Sequence, residues 1–384
     1  MGRLFRWIGA GLLWLVILLC LTLTIVPHFL DARYYRGPVS DHFDGERFFN
    51  PDGDDGLPVA NTGTMLRYIA GSDDRPKWPS RVAVAPTRPP ARVDGERMLV
   101  TWIGHSSVLV QTAGINILTD PVWSKSAGPW GFGPTRVAEP GIRFDDLPRI
   151  DLVLVSHDHY DHMDLATLKR LSDRDKPMIV TSLGNDSVIS QAGVPATARD
   201  WGGRVEVRAG IEVIVNRGHH WDSRWFADRN RALWSSFVVT LPGGNLFFAG
   251  DTGAGDFGWA DKAVSYGPIR LALIPIGAFR FAPGQMAAGS HIGPLDAVEV
   301  FRRLGASHAI GVHWGTFRLS YEGWDTPPRL LAAAEKCTGQ SGFDALPIGR
   351  TVAIPPYAAP RPRPAMPRAE LLHCLETSGA AALP

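Results

Sequence analysis

The apolar and polar positions of this chain fall into distinct regimes. Trp7 to Val26 is an apolar run of 20 residues without a charge, preceded by Arg3 and Arg6. As a helix it reaches ~30 Å, about the thickness of one hydrocarbon core. The segment after Cys20 reads Leu21-Thr22-Leu23-Thr24-Ile25-Val26-Pro27, which lacks a small-x-small cleavage pattern. The run therefore predicts an uncleaved amino-terminal membrane anchor over residues 1–30 rather than a removed signal peptide. The positive-inside rule leans its amino end toward the cytoplasm, which puts the remainder outside it, on the periplasmic side if the source is bacterial.

Residues 31–94 are rich in Pro, Gly, Asp and Arg, as in Asn50-Pro51-Asp52-Gly53 and Pro86-Thr87-Arg88-Pro89-Pro90. This is loop chemistry. It predicts an extended connector docked by Phe43, Phe48 and Phe49, with one short helix near Thr64 to Ala70. Beyond it the period changes. Met98–Ile103, Ser107–Gln111 and Ile115–Thr119 read as a short antiparallel meander. Further strands are expected at 151–155, 177–181, 205–207, 211–215, 236–241, 245–249, 271–274 and 309–312. Helices are expected at 164–171, 185–192, 294–304 and 328–336, with Pro294 and Gly305 bracketing one of them in the usual asymmetry. A meander followed by mixed strands and helices predicts an α/β fold of two sheets with helices outside, over 95–356. Residues 357–384 form a Pro-rich tail whose end is a short helix or unstructured.

Composition narrows the function. The 384 residues carry a formal net charge of +1, which gives no reason to propose a nucleic-acid partner. Cys20, Cys337 and Cys374 have neither metal-binding spacing nor a disulfide framework, so a metal would be held by His and Asp.

The candidate chemistry centres on His157-Asp158-His159-Tyr160-Asp161-His162, which follows an apolar strand and precedes a helix. Open α/β sheets place ligands at such strand ends. A tight turn can aim His157 and His159 at one ion, and Asp161 and His162 at a second one ~3.5–4 Å away. Imidazole with carboxylate suits a first-row metal. The other ligand types also stand at strand ends beside glycine: Gly218-His219-His220, Gly250-Asp251 and Val312-His313-Trp314-Gly315.

With these stretches in view the chain resembles the metallo-β-lactamase superfamily. Within it, the chain is most similar to the N-acylphosphatidylethanolamine-hydrolysing phospholipase D family. The resemblance rests on Thr101-Trp102-Ile103-Gly104-His105, Leu118-Thr119-Asp120-Pro121, Ser156 through Asp164 and His220-Trp221. It continues through Phe247 to Gly253, Ile274-Pro275-Ile276-Gly277-Ala278 and His313-Trp314-Gly315-Thr316-Phe317. It covers about residues 95 to 355.

The resemblance implies an αββα sandwich with two zinc ions. One would be held by His157, His159 and His220, the other by Asp161, His162 and His313, with Asp251 between them. Asp120 would orient a ligand, or else cap its own turn. His291 would lie in the substrate pocket, making Asp161, Asp251 and His291 the catalytic candidates. The family usually carries an acidic or amide residue where Gly293 stands.

The implied reaction is hydrolysis of a phospholipid phosphodiester by a hydroxide bridging two zinc ions. Trp123, Trp130, Phe132, Trp221, Trp225, Phe226 and Trp234 are candidates for a membrane-facing rim. A soluble substrate such as a phosphorylated sugar lactone, iron or manganese in place of zinc, and a non-enzymatic zinc-containing membrane protein remain open alternatives. Seven ligands for two ions, one of them shared, leave open positions and so favour catalysis.

Overall fold

The computed structural model describes residues 2–30, 32–53, 75–225, 227–281, 285–286 and 289–384. The expected helix near Thr64 to Ala70 lies outside them. Helix α1 (Gly2–Leu30) contains Phe5–Val26, a stretch long and apolar enough to cross a membrane, with none of it buried against the protein.

Strands β1 (Met98–Gly104), β2 (Ser107–Thr112) and β3 (Ile115–Thr119) form the expected antiparallel meander. Next, β4 (Leu152–Val155) pairs parallel with β3, and β5 (Met178–Ser182) with β4. Helix α2 (Leu165–Asp175) follows β4 and α3 (Asn185–Ser190) follows β5. The second sheet is built from β7 (Arg204–Arg208), β8 (Ile211–Asn216), β9 (Ser236–Val239), β10 (Asn245–Phe248), β11 (Ile269–Pro275) and β12 (His308–Val312). Each sheet has seven strands; β6 (Thr197–Arg199) and β14 (Thr351–Ile354) form the edges of the first, and β13 (Phe343–Asp344) ends the second.

Period-two alternation builds the layers. In β4, Leu152 and Leu154 point into the core between the sheets, with Val213, Phe237 and Phe247. Val153 and Val155 point the other way, onto Leu168 and Leu171 of α2 and Val188 and Ile189 of α3. Both faces are covered, so the strand reads as a continuous apolar run. Asp164 caps α2 by accepting from the Ala166 and Thr167 N–H groups. Helix α5 (Pro294–Leu304) has the expected bounds and ends at Gly305 in the left-handed region. Between them lies α4 (Gly258–Val264), which the sequence pattern did not reveal.

Two expectations are corrected. Cys337 and Cys374 are disulfide-bonded, joining α6 (Thr326–Thr338) to α7 (Arg368–Thr377). They stand 37 residues apart, and only the packing of two helices brings their Cα atoms to 6.1 Å. Trp234 is not part of a surface rim. It is fully buried against Phe43, Phe48 and Leu233, where it helps dock the connector. Phe49 is half-buried nearby.

Candidate metal centre

Every ligand type foreseen at a strand end sits at the same end of the sandwich. β4 delivers the histidine loop, β8 leads to His220, β10 to Asp251 and β12 to His313. The sheets are tied together there, by His313 N–H donating to the His105 carbonyl at 3.1 Å and Ser235 N–H to that of Ser156 at 3.0 Å. Gly250 makes this closeness possible. Its φ is +61°, and a Cβ on it would lie 2.6 Å from that of Ser156. His105, Asp120 and His313 also have positive φ, an uncommon conformation that clusters at functional sites.

The side chains form two sets. His157 Nε2 lies 2.8 Å from His159 Nδ1, and His220 Nε2 lies 3.4 Å from the same atom. In the second set, His162 Nε2 and His313 Nε2 are 3.2 Å apart, at 3.5 and 3.4 Å from Asp161 Oδ2. Asp251 Oδ2 reaches both, at 3.1 and 2.9 Å. Asp251 also groups with His157 and with His220, so it stands between the sets.

The donor spacing fits a cation in each set. Tetrahedral ligands at ~2.0–2.1 Å from one ion stand ~3.3 Å apart. The outward-facing nitrogens are fixed from behind. His162 Nδ1 is 2.6 Å from Asp120 Oδ2, His157 Nδ1 is 2.9 Å from Ser156 Oγ, and His220 Nδ1 is 2.8 Å from the Ser290 carbonyl. Such contacts choose the tautomer that bares the opposite nitrogen. Asp251 Oδ1 is buried without a hydrogen-bond partner, a costly state for a carboxylate unless a cation faces it.

Electrostatics divide the ligands. Burial holds the His157 and His220 imidazoles well below the usual range, helped by neighbouring histidines, and holds His159 down to about 3. Burial raises Asp161 and Asp251, but His162 and His313 beside them override it and keep both carboxyls well below the usual carboxylate range. Conversely, burial opposes the charge on His162 and His313, yet Asp251 and Asp161 raise the first well above its usual value and the second to about 9.

Residues 115–314 match the family model described as the Beta-lactamase superfamily domain, over half of the chain. The chain belongs to the beta-lactamase superfamily. Among curated relatives of this superfamily member, an uncharacterized protein of Mycobacterium tuberculosis is 36% identical over 252 residues, covering 64% of this chain and 66% of its own. The N-acyl-phosphatidylethanolamine-hydrolyzing phospholipase D 1 of Caenorhabditis elegans is 36% identical over 244 residues, covering 60% of this chain and 68% of its own. The chain thus spans about two thirds of the length of these relatives. The solved isothiocyanate hydrolase from Delia radicum gut bacteria shares the fold, with TM-score 0.54 and 17% identity over 67% of this chain and all of that one.

His157, His159, Asp161, His162, His220, Asp251 and His313 converge. His219 turns away, to Asp52 Oδ2 at 3.0 Å. Asp120 is bound to His162 and also receives the Ser156 N–H and hydroxyl, at 2.8 and 2.6 Å. His291 packs on the His220 ring at 5.0 Å, and its Nδ1 lies 3.7 Å from Asp251. Burial pushes His291 down to about 4, against the pull of Asp251. At Gly293 there is no room for an acidic or amide side chain: a Cβ would meet the Met286 carbonyl oxygen at 2.7 Å and the Phe279 ring at 2.8 Å.

His105 joins the group of Asp161, His162 and His313. His105 Nε2 is 2.9 Å from Asp161 Oδ2, and its ring lies 4.0 Å from that of His313. Its signal is the turn Gly104-His105 at the end of β1, the same strand-end pattern as the other ligands.

The aromatic candidates divide. Trp130 and Phe132 are 81% and 73% exposed, and Trp130 leans on half-buried Trp225 at 5.3 Å. Trp221 is half-buried, its ring centroid 4.2 Å from that of His159. Trp123 is half-buried against Phe144, and Phe226 lies outside the described residues.

Proposed function

We propose that this protein is a metal-dependent hydrolase that cleaves a phosphodiester of a membrane phospholipid, in the manner of a phospholipase D. The observation that carries the reading is the pair of His/Asp ligand sets sharing Asp251, with exposed Trp130 and Phe132 on a nearby loop. The name of the nematode relative points to N-acylphosphatidylethanolamine as the substrate to try first.

In this reading His157, His159 and His220 would hold one zinc ion and Asp161, His162 and His313 the other, with Asp251 standing between the two sets. The donors contain no thiolate, which leaves iron and manganese as competitors for the same ligands. When bound, such a pair supplies a water acidified to near neutral pH and positive charge against the developing oxyanion. The chain's own residues do the rest. Asp120, Ser156 and the Ser290 carbonyl keep the ligand imidazoles aimed inward. His291 carries a ring N–H and would donate a hydrogen bond to a phosphoryl oxygen or a proton to the leaving alkoxide.

The reading assigns α1 as the anchor, 31–94 as connector, 95–356 as the hydrolase domain and 357–384 as tail. Trp130 and Phe132 enter the lipid interface, where amphipathic and aromatic side chains are favoured. The Cys337–Cys374 disulfide supports an oxidising compartment, and hence a catalytic domain outside the cytoplasm.

The test is hydrolysis of a phospholipid panel by the full chain in detergent, with products identified by mass spectrometry and Asp251→Asn as control. Phosphatidic acid, absent with the control, is the expected product. No lipid cleavage by protein carrying two metals per chain would move the reading to a soluble phosphoester or lactone.

A further inference from the structure

The chain after β14 lies outside the superfamily match, yet it touches both ends of the loop that carries His291. At its start, Arg368 pairs with Asp296 in the first turn of α5, the helix that begins three residues after His291. At its end, the Leu383 carbonyl accepts from Arg280 Nη1 at 2.7 Å. The Pro384 oxygen accepts from Gly323 N–H at 2.8 Å and from the Thr326 hydroxyl. In between, Cys374 of α7 is bonded to Cys337 of α6, and Leu371 and Leu375 are buried.

Arg280 is the joint. It is 3% exposed, and besides Leu383 its guanidinium holds the Gln285 carbonyl at 2.9 Å and Met286 Sδ at 3.6 Å. The backbone carbonyl oxygen of Met286, with the Phe279 ring, in turn takes the space a Cβ would need at Gly293. The adjoining Phe281 ring lies 5.4 Å from that of His291. Buried Glu322 fixes the same stretch from beneath, accepting from the Ala278 and Arg280 N–H groups.

We propose that residues 368–384 form a strap that sets the position of the His291 loop, with Arg280 as the positioning residue and the Cys337–Cys374 disulfide as the lock. The strap ties down both ends of one loop through a single disulfide-held helix, so releasing α7 frees both ties together. Both cysteines are only partly buried, within reach of a small dithiol. With dithiothreitol the protein S–S bond breaks, two protein thiols form, and the reagent closes to its cyclic disulfide, so electrons and protons balance. The functional part of this inference rests on His291 being a substrate-pocket residue, as proposed above.

The experiment is hydrogen–deuterium exchange on the full chain in detergent, without lipid, comparing the wild type, reduced wild type, Cys337→Ser/Cys374→Ser and Arg280→Lys. The expected result is several-fold faster exchange at 276–281 and 290–295 in all three altered states, with β4 and β10 unchanged. The serine variant should not respond further to dithiothreitol. Arg280→Lys keeps the charge but loses the fork that binds three partners. Faster exchange confined to 368–384 would overturn the coupling, as would a uniform rise over both sheets, which would make the disulfide a general staple. Unchanged loop exchange in Arg280→Lys would remove Arg280 from the mechanism. If lipid hydrolysis is found, reduction should raise KM more than it lowers kcat. Because exchange is read without substrate, failure of the strap and failure of the phospholipase reading are distinguishable.

Discussion

The carboxylate of Asp120 stands 2.6 Å from Nδ1 of His162, and neither side chain reaches solvent. This contact keeps the Nδ1 proton in place and makes Nε2 of His162 the atom that faces Asp161, Asp251 and His313. Asp120→Asn retains the shape but has one acceptor oxygen in place of two, so it cannot accept from both His162 Nδ1 and the Ser156 N–H. It is expected to weaken metal binding in the His162 set by ~10–100-fold while sparing the His157 set. Metal titration of the purified protein, read as two separate affinities, checks this. Equal affinities in variant and wild type would leave Asp120 as a turn residue only.

His105 acts on the other carboxylate of that set. Its Nε2 is 2.9 Å from Asp161 Oδ2, and the backbone before it is held by Thr316 Oγ1 accepting the His105 N–H at 2.9 Å. His105→Ala is expected to cost roughly ten-fold or more in affinity of the Asp161-containing set. His105→Gln restores a donor and should recover part of it. Identical metal content and affinity in both variants would show that Asp161 needs no such support.

Metal loading should release protons. Asp251 and Asp161 raise His162 well above its usual value and His313 to about 9, so both imidazoles carry a proton at neutral pH before a metal arrives. A ligand nitrogen must be bare. Apparent affinity should therefore fall as pH falls below about 9, the value for His313. Calorimetric titration at pH 7 in buffers of different ionisation enthalpy is expected to show net proton release on metal binding. Binding without buffer dependence would contradict the charge assignment.

Trp130 and Phe132 are exposed far beyond what a soluble surface needs, at 81% and 73%. Burying a large apolar side chain is worth ~1.5–3 kcal/mol. Replacing both by Ser should raise the apparent KM for lipid in bilayer discs by about ten-fold or more, since 1.4 kcal/mol is one factor of ten. Turnover of a short-chain soluble phosphodiester should stay unchanged. A loss on the soluble substrate would instead place the two residues in the pocket itself.

How far the sequence carried the structure depended on whether each signal was local. Leu152 to Val155 read as a buried strand because both its faces are covered, one by the opposite sheet and one by two helices. His157 to His162 read as a ligand-rich loop because neighbouring residues on one turn reach two groups of His and Asp side chains. Pro294 and Gly305 marked their helix because capping is decided within a turn.

What escaped was set by distant partners. β14 exists because Thr351–Ile354 pairs with Met98–Thr101. The disulfide needs two helices to meet. The partner of His105 is 56 residues away in sequence. Trp234 looked like a rim residue until Phe43 and Phe48 of the connector covered it.

The central claim is that water attacks phosphorus in a phospholipid at this pair of ligand sets. The measurement that tests it most directly is hydrolysis of N-acylphosphatidylethanolamine in 18O-enriched water by the metal-loaded full chain, with the label located by mass spectrometry. The account requires one 18O atom in the phosphatidic acid and none in the released N-acylethanolamine, because the P–O bond to the head group breaks. Label in the freed alcohol or in a fatty acid would mean that carbon, not phosphorus, was attacked, and would contradict it.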